Sequence, residues 1–258
     1  MSSILIEIKE KIALIRLNRP EKYNAFNREM ALTLQLQLDN CGSNENVSVI
    51  LITGNGKAFC AGQDLGELLG DGPPGFDVIL SEHYNPLIQK IRSLNKPVVC
   101  AVNGVAAGAG ANLAICGDVV VAAQSASFVQ AFSKIGLVPD SGGTFTLPRL
   151  IGFQKASALM MLGDKLSAGE AERIGMVYKV FPDDIFMEES MSIARRLAMM
   201  PAKALAFTKQ ALNASLTNSL EEQLVLEDRL QTAAANTKDF KEGIAAFTEK
   251  RNPVFKGE

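Results

Sequence analysis

Lys96-Pro97-Val98-Val99-Cys100-Ala101-Val102-Asn103-Gly104-Val105-Ala106-Ala107-Gly108-Ala109-Gly110-Ala111-Asn112-Leu113-Ala114-Ile115-Cys116-Gly117-Asp118-Val119-Val120-Val121-Ala122 carries two uninterrupted apolar runs around a glycine-rich turn. A strand with one wet face alternates polar and apolar residues, whereas a strand covered on both faces stays apolar. Val98–Val102 and Asp118–Ala122 are of the second kind, and Gly108–Cys116 between them reads as a short helix. Strand, helix and strand in that order predict a mainly parallel sheet with helices packed on it, an α/β fold. Upstream, Val47–Thr53 repeats the buried-strand pattern and stops at Gly54-Asn55-Gly56. Arg28–Cys41 and Ser81–Leu94 read as helices. Ile4–Ile8 and Lys11–Leu17 alternate and predict an antiparallel hairpin at the start of the sheet. Beyond Gly152 strand signals fade except at Met176–Phe181, and helices are expected at Ile185–Met199, Ala202–Leu212, Glu221–Ala235 and Asp239–Lys250. The expected organisation is an α/β core over 1–195 and a helical C-terminal region over 196–258. Asp71-Gly72-Pro73-Pro74-Gly75 reads as a mobile loop beside a site.

Composition narrows the functions. The 258 residues are 47% hydrophobic and 21% charged with a formal charge of -2, so no basic excess points to nucleic acid or an anionic membrane. No stretch approaches the roughly 18 uncharged apolar residues of a membrane span. The N-terminal residues alternate and carry charges, unlike a signal peptide, and a cytoplasmic location is expected. Cys41, Cys60, Cys100 and Cys116 lie far apart without CxxC spacing, which fits reduced core thiols. The one histidine, His83, supplies neither a zinc site nor Ser-His-Asp chemistry well and reads as a surface or pocket-edge residue.

Three glycine-rich turns hold the chemical candidates. Phe59-Cys60-Ala61-Gly62-Gln63-Asp64-Leu65 and Asn103–Leu113 each lie between a strand and a helix. Small residues there let main-chain N–H groups approach a ligand, and two such turns together could aim two donors at one carbonyl oxygen. For either turn alone, close packing of helix on strand is the favoured explanation of the glycines. A dinucleotide fingerprint is incomplete, because Leu113 stands where the third glycine belongs. The third turn, Gly136–Thr144, places Asp140 among apolar and small residues, where ionisation is disfavoured and the carboxylate becomes a better base. Its alternative role is an N-cap for a helix at Gly142–Leu147.

These pieces together resemble the crotonase (enoyl-CoA hydratase/isomerase) superfamily. Leu17-Asn18-Arg19-Pro20 with Asn24-Ala25 is similar to its opening motif, Phe59–Leu65 to its FxAGxDL turn and Asn103–Asn112 to its second glycine turn. Pro139 with Gly142-Gly143-Thr144 resembles PxxGGT, and Gly243–Arg251 its C-terminal helix. The resemblance implies a spiral of ββα units with a helical C-terminal trimerisation region, an acyl-CoA thioester as substrate, and a homotrimer or homohexamer. It implies no cofactor beyond CoA carried by the substrate, no metal, and neither nucleic acid nor membrane as partner. It assigns the N–H groups of Gln63 and Ala109 as oxyanion donors and Asp140 as acid/base, with the Gln63 side chain of no account. It places Lys22, Ala25, Ala61, Gly62, Asp64, Leu65 and Gly108 at the CoA moiety or acyl group, and Phe247 and Lys250 at a neighbouring subunit's CoA.

Two departures matter. The family's hydratases surround the added water with two glutamates, and Asn112 and Phe132 stand at those positions, both expected at the substrate. An amide cannot exchange a proton at neutral pH. One carboxylate, Asp140, could still move a proton from one carbon to another, so isomerisation is expected over hydration. Asn85-Pro86-Leu87 and Ala131–Thr144 resemble family members that isomerise an aromatic ring-epoxide CoA thioester. A hydratase with another acid/base pair, and a silent acyl-CoA-binding scaffold, are the alternatives.

Overall fold

The computed structural model describes residues 2–69 and 74–257. Most of the Asp71–Gly75 loop expectation therefore lies outside the described residues. β1 (Ile4–Lys9) and β2 (Ile12–Leu17) form the expected hairpin, with Ile4 opposite Leu17 and Lys9 opposite Ile12. Glu10 and Lys11 both take positive φ, the geometry of a two-residue hairpin turn. β2 then pairs in parallel with β3 (Val49–Gly54), and the sheet continues through β5 (Val98–Val102), β7 (Val119–Ala123) and β10 (Lys179–Phe181). Its order is β1-β2-β3-β5-β7-β10. Every residue of β3 and β5 is buried, which is why these strands read as unbroken apolar runs.

A second sheet holds β4 (Ala58–Cys60), β6 (Val105–Ala107), β8 (Ser127–Val129) and β9 (Lys165–Ser167), the first three parallel. Three-residue strands are too short to show a period, and the sequence gives no sign of them. Each of β3, β5 and β7 bends into β4, β6 and β8 in turn. Those lead into α2 (Leu65–Leu68), α5 (Ala109–Ile115) and a 3-10 turn at Ala131–Ile135. A strand–strand–helix unit thus recurs along the chain and winds it into a spiral. Asn103 pins one corner to the next: Oδ1 accepts the Gly54 N–H (2.9 Å) and Nδ2 donates to the Gly56 carbonyl (3.0 Å).

α1 (Arg28–Ser43) opens on an Asn27 cap that accepts the Met30 N–H. After a turn at Phe76–Val78 (α3), the helix expected at Ser81–Leu94 begins as a π-helical stretch, Ile79–Tyr84, and continues as α4 (Asn85–Ser93). α6 (Gly143–Ile151), α7 (Phe153–Leu162) and α8 (Ala168–Arg173) follow. The strand expected from Met176 shrinks to Lys179–Phe181, because the Met176 and Val177 N–H groups both return to the Ala171 carbonyl. α9 (Phe186–Ala198), α10 (Ala202–Ser215), α11 (Leu220–Ala235) and α12 (Lys238–Glu249) form the helical end. A Ser219–Glu222 capping box starts α11. α10 is latched to the core by Lys209, whose buried ammonium meets Asp118 (2.7 Å) and the Ile91 carbonyl (2.7 Å). All four cysteines are free and buried. No described helix is long and apolar enough to cross a membrane.

Candidate active site

Adjacent parallel strands deliver adjacent turns. β4 runs out into Ala61-Gly62-Gln63 and β6 into Gly108-Ala109, so the two glycine turns lie side by side. Gly62 has φ +91, and a Cβ there would stand 2.9 Å from the Ala107 carbonyl oxygen and 3.5 Å from the Ala109 nitrogen. Only glycine permits that approach. Phe26 holds the first turn from outside: its N–H donates to the Gly62 carbonyl (2.7 Å) and its carbonyl accepts the Asp64 N–H (2.8 Å). The intervening Gln63 N–H is thereby directed away from that ladder. Ala109 is the first residue of α5, where helix geometry leaves an N–H without an internal acceptor. Among the described residues, neither N–H has an acceptor. Such a pair can polarise a single carbonyl oxygen.

The segments expected at the CoA moiety are also brought together. The Ala61 N–H donates to the Tyr23 carbonyl (3.0 Å), setting Lys22–Ala25 against Ala61–Leu65. Fully buried Asn24 fixes the first segment by donating to the Asn55 and Ala58 carbonyls and accepting the Arg19 N–H. Lys22 is exposed, Ala25 is buried and Leu65 is half exposed. Asp64 is engaged internally, paired with Arg19 at 2.8 Å and capping α2 through the Gly66 N–H. Burial alone would raise its carboxyl, but Arg19 and the Gly66 N–H hold it below its usual range.

Asp140 lies in the third turn, half-buried, and is not an N-cap: Gly142 holds that position before α6, which has no side-chain cap. Burial pushes its carboxyl above the ordinary carboxylate range, against the opposing bond from Ser141 Oγ to Oδ1 (2.8 Å). Ser141 and Gly142 both adopt left-handed backbone (φ +52 and +70), a sharp turn that presents the Asp140 side chain. Asn112 holds this turn from beneath. It is 1% exposed; Nδ2 donates to the Asp140 carbonyl (2.9 Å), and Oδ1 accepts from Gln130 Nε2 (2.8 Å). Phe132 is buried over the second glycine turn, its ring 3.7 Å from where a Gly108 Cβ would stand. No group of three His, Cys, Asp or Glu able to hold a metal occurs among the described residues.

The profile of the enoyl-CoA hydratase/isomerase family matches residues 7–258. The chain belongs to this family. It is 45% identical to the 1,2-epoxyphenylacetyl-CoA isomerase of Escherichia coli over 260 residues, covering 100% of this chain and 99% of that protein. It is 37% identical to the 2,3-dehydroadipyl-CoA hydratase of the same organism, covering 100% of both. The solved enoyl-CoA hydratase of Bacillus anthracis superposes with a TM-score of 0.95 at 33% identity, covering 99% of this chain and 100% of that one. The protein is thus an enzyme of the enoyl-CoA hydratase/isomerase family with the crotonase fold.

In this hydratase/isomerase chain the site also contains residues that sequence reasoning missed. Tyr84, 2% exposed, donates its hydroxyl to Gln63 Oε1 (3.0 Å), and its phenol is pushed well up by burial and by the charges of Cys60, Asp140 and Glu67. Gln63 Nε2 donates to Glu67 Oε2 (2.7 Å). The sequence signal for Tyr84 is one aromatic in a helical run, indistinguishable from core. His83, expected at a surface or pocket edge, is instead 1% exposed, because the π-helical stretch turns it inward beside Tyr84. Phe247 (87% exposed) and Lys250 belong to the C-terminal helical end; the hollow beside Phe247 is lined by Pro201, Phe240, Ile244 and Phe255, with no residue of the glycine turns.

Proposed function

We propose that the protein is a CoA-thioester isomerase with one carboxylate as its acid/base. The observation that carries this reading is Asp140, half-buried with a raised carboxyl, while the two positions of the hydratase glutamates hold a locked amide, Asn112, and an apolar ring, Phe132. The Gln63 and Ala109 N–H groups receive the thioester oxygen and make the adjacent C–H acidic. Asp140 takes a proton from C2 of a 3-enoyl thioester. The electrons of that bond form the enolate, the double bond moves to C2–C3, and the same carboxyl returns the proton at C4. Ser141 occupies Oδ1, leaving the other oxygen to carry the proton. No water is consumed. The 45% identity to the E. coli epoxide isomerase supports ring-1,2-epoxyphenylacetyl-CoA, converted to oxepin-CoA, as a second substrate of this site. CoA enters with the substrate, and no other cofactor is called for. A homotrimer or homohexamer, in which Phe247 and Lys250 meet a neighbour's CoA, completes the reading, in a cytoplasmic setting.

Hydration is the second reading, favoured by the several hydratases among the relatives, one of them 46% identical. Incubation with 3-enoyl-CoA and 2-enoyl-CoA in deuterated water, beside Asp140→Asn, separates the two. Isomerisation with negligible 3-hydroxyacyl-CoA and a dead variant is the expected result. Dominant hydration retained by Asp140→Asn refutes the proposal, and saturable binding without any turnover by the wild type supports a silent scaffold instead.

A further inference from the structure

The Gln63 side chain has no role in the oxyanion reading above, yet both ends of its amide are engaged. Tyr84 donates to Oε1 at 3.0 Å, and Nε2 donates to Glu67 Oε2 at 2.7 Å. Glu67 is itself fixed, since Oε1 accepts the Arg28 N–H at the start of α1 (2.9 Å). On the other side of the same residue the Phe26 main chain brackets Gln63 by two hydrogen bonds. The Tyr84 ring lies tilted against Phe26, centroids 5.9 Å apart, so the two braces also touch each other.

The placement of Tyr84 has a backbone cause. A π-helical turn holds more residues per turn than an α-helix, so consecutive side chains diverge less, and such stretches recur at functional sites. Here Ile79–Tyr84 directs His83 and Tyr84 inward together. A phenylalanine would fill the same apolar space without needing a partner for its ring. The hydroxyl adds only the bond to Gln63.

We infer that Tyr84 is a positioning residue, which through the Gln63 side chain fixes the direction of the Gln63 main-chain N–H. The inference rests on the oxyanion reading of that N–H. Hydrogen bonds weaken steeply as the N–H···O angle falls, and a preorganised donor works because it needs no reorientation during reaction. Released from Tyr84, the Gln63 amide keeps only its bond to Glu67, and the Gln63 peptide gains freedom to rock about the Phe26 ladder.

The test uses Tyr84→Phe and Gln63→Met, which keep the bulk of both side chains and remove the bond from either end. Complete loss of one oxyanion donor costs about 100- to 1,000-fold in kcat, so misdirection should cost about tenfold, with KM changed by less than about twofold. The double variant should lose no more than Gln63→Met alone, which already removes the bond to Tyr84 together with the one to Glu67. The second readout is the infrared band of a saturated acyl-CoA labelled with 13C at the thioester carbonyl. The wild type should shift it to lower frequency relative to solution, and each variant should lose about half of that shift. Unchanged kcat and an unchanged band in both variants overturn the positioning role while leaving the oxyanion reading intact. No band shift in the wild type overturns the oxyanion reading and this inference with it. Loss of a limb of the kcat–pH profile in Tyr84→Phe, with the band shift kept, makes Tyr84 a proton carrier and also overturns the inference. Should Tyr84→Phe not fold, Gln63→Met alone decides by the same two readouts.

Discussion

Replacing Gly143 by alanine tests how the Asp140 turn is held. On helix propensity alone the change at the first residue of α6 should stabilise by up to about 1 kcal/mol. The structure reverses that sign. A Cβ on Gly143 would stand 2.3 Å from Asn112 Nδ2, 2.5 Å from Cγ and 2.6 Å from Oδ1, so the amide must retreat by about an ångström to reach ordinary contact. Asn112 is buried and tethered at both ends, to the Asp140 carbonyl and to Gln130. Retreat breaks those two bonds, one buried and one part-buried, at about 1–3 kcal/mol for each bond lost. Net of propensity, Gly143→Ala should cost about 1–5 kcal/mol, or roughly 2–20 °C in Tm at about 2–4 °C per kcal/mol for a chain of this size. Urea unfolding at fixed protein concentration, with an unchanged m-value, is the assay. Asn112→Ala loses the same bonds but opens the space. The double variant should therefore cost at least about 2 kcal/mol less than the sum of the two single changes. A Gly143→Ala protein within about 0.5 kcal/mol of wild type, or strict additivity in the double variant, refutes the reasoning.

The remaining predictions concern buried ionisable groups. Because the folded state raises the Asp140 carboxyl, it binds that proton more tightly than the unfolded chain does, so this residue's contribution to stability falls as pH rises through the window from the ordinary aspartate value to the raised one. Asp140→Asn should therefore be more stable than wild type at pH 7 while inactive, with the gain vanishing below about pH 3.9, as two pH series of urea midpoints would show. Lys209→Ala strips the ammonium from Asp118 and from the Ile91 and Lys96 carbonyls, and should cost about 3–5 kcal/mol, read as earlier proteolysis at α10 and a lower urea midpoint. Burial pushes the Cys60 and Cys116 thiols up to about 12 and raises those of Cys41 and Cys100, so a thiol reagent at pH 8 should label none of the four until denaturant is added.

The large sheet was legible because covered strands must be apolar along their length. Val98–Val102 appears in the structure with the same ends, and the C-terminal helices fall within a few residues of their expected bounds. The second sheet was not legible, since Ala58–Cys60, Val105–Ala107 and Ser127–Val129 are each shorter than two periods of alternation. Yet these short strands set the site, because their parallel pairing lays the turns at Gly62 and Gly108 beside each other. Glycine-rich turns announced that some backbone came close; which turn met which was decided by pairings between residues some 45 positions apart, such as Ala58 with Val105. Tyr84 stayed hidden for a different reason. Its inward direction comes from the π-helical Ile79–Tyr84, and no periodicity marks a π turn in sequence.

Asn112 connects the absence of one carboxylate to the presence of the other. The resemblance to the family puts a hydratase glutamate at this position, and here its amide donates to the Asp140 carbonyl oxygen at 2.9 Å. An ionised glutamate has no hydrogen to give, so it could not tie down that carbonyl. It would also set a second negative charge beside a carboxyl whose ionisation burial already disfavours. The contact that shapes the Asp140 turn therefore needs a donor at residue 112, while a hydratase needs a proton-exchanging acid there. A glutamate has a hydrogen to donate only while protonated, whereas the asparagine amide donates at every pH. If Asp140 is the isomerase carboxylate proposed above, an ionised glutamate at residue 112 would loosen and repel the turn that carries it, and the asparagine fits that proposal.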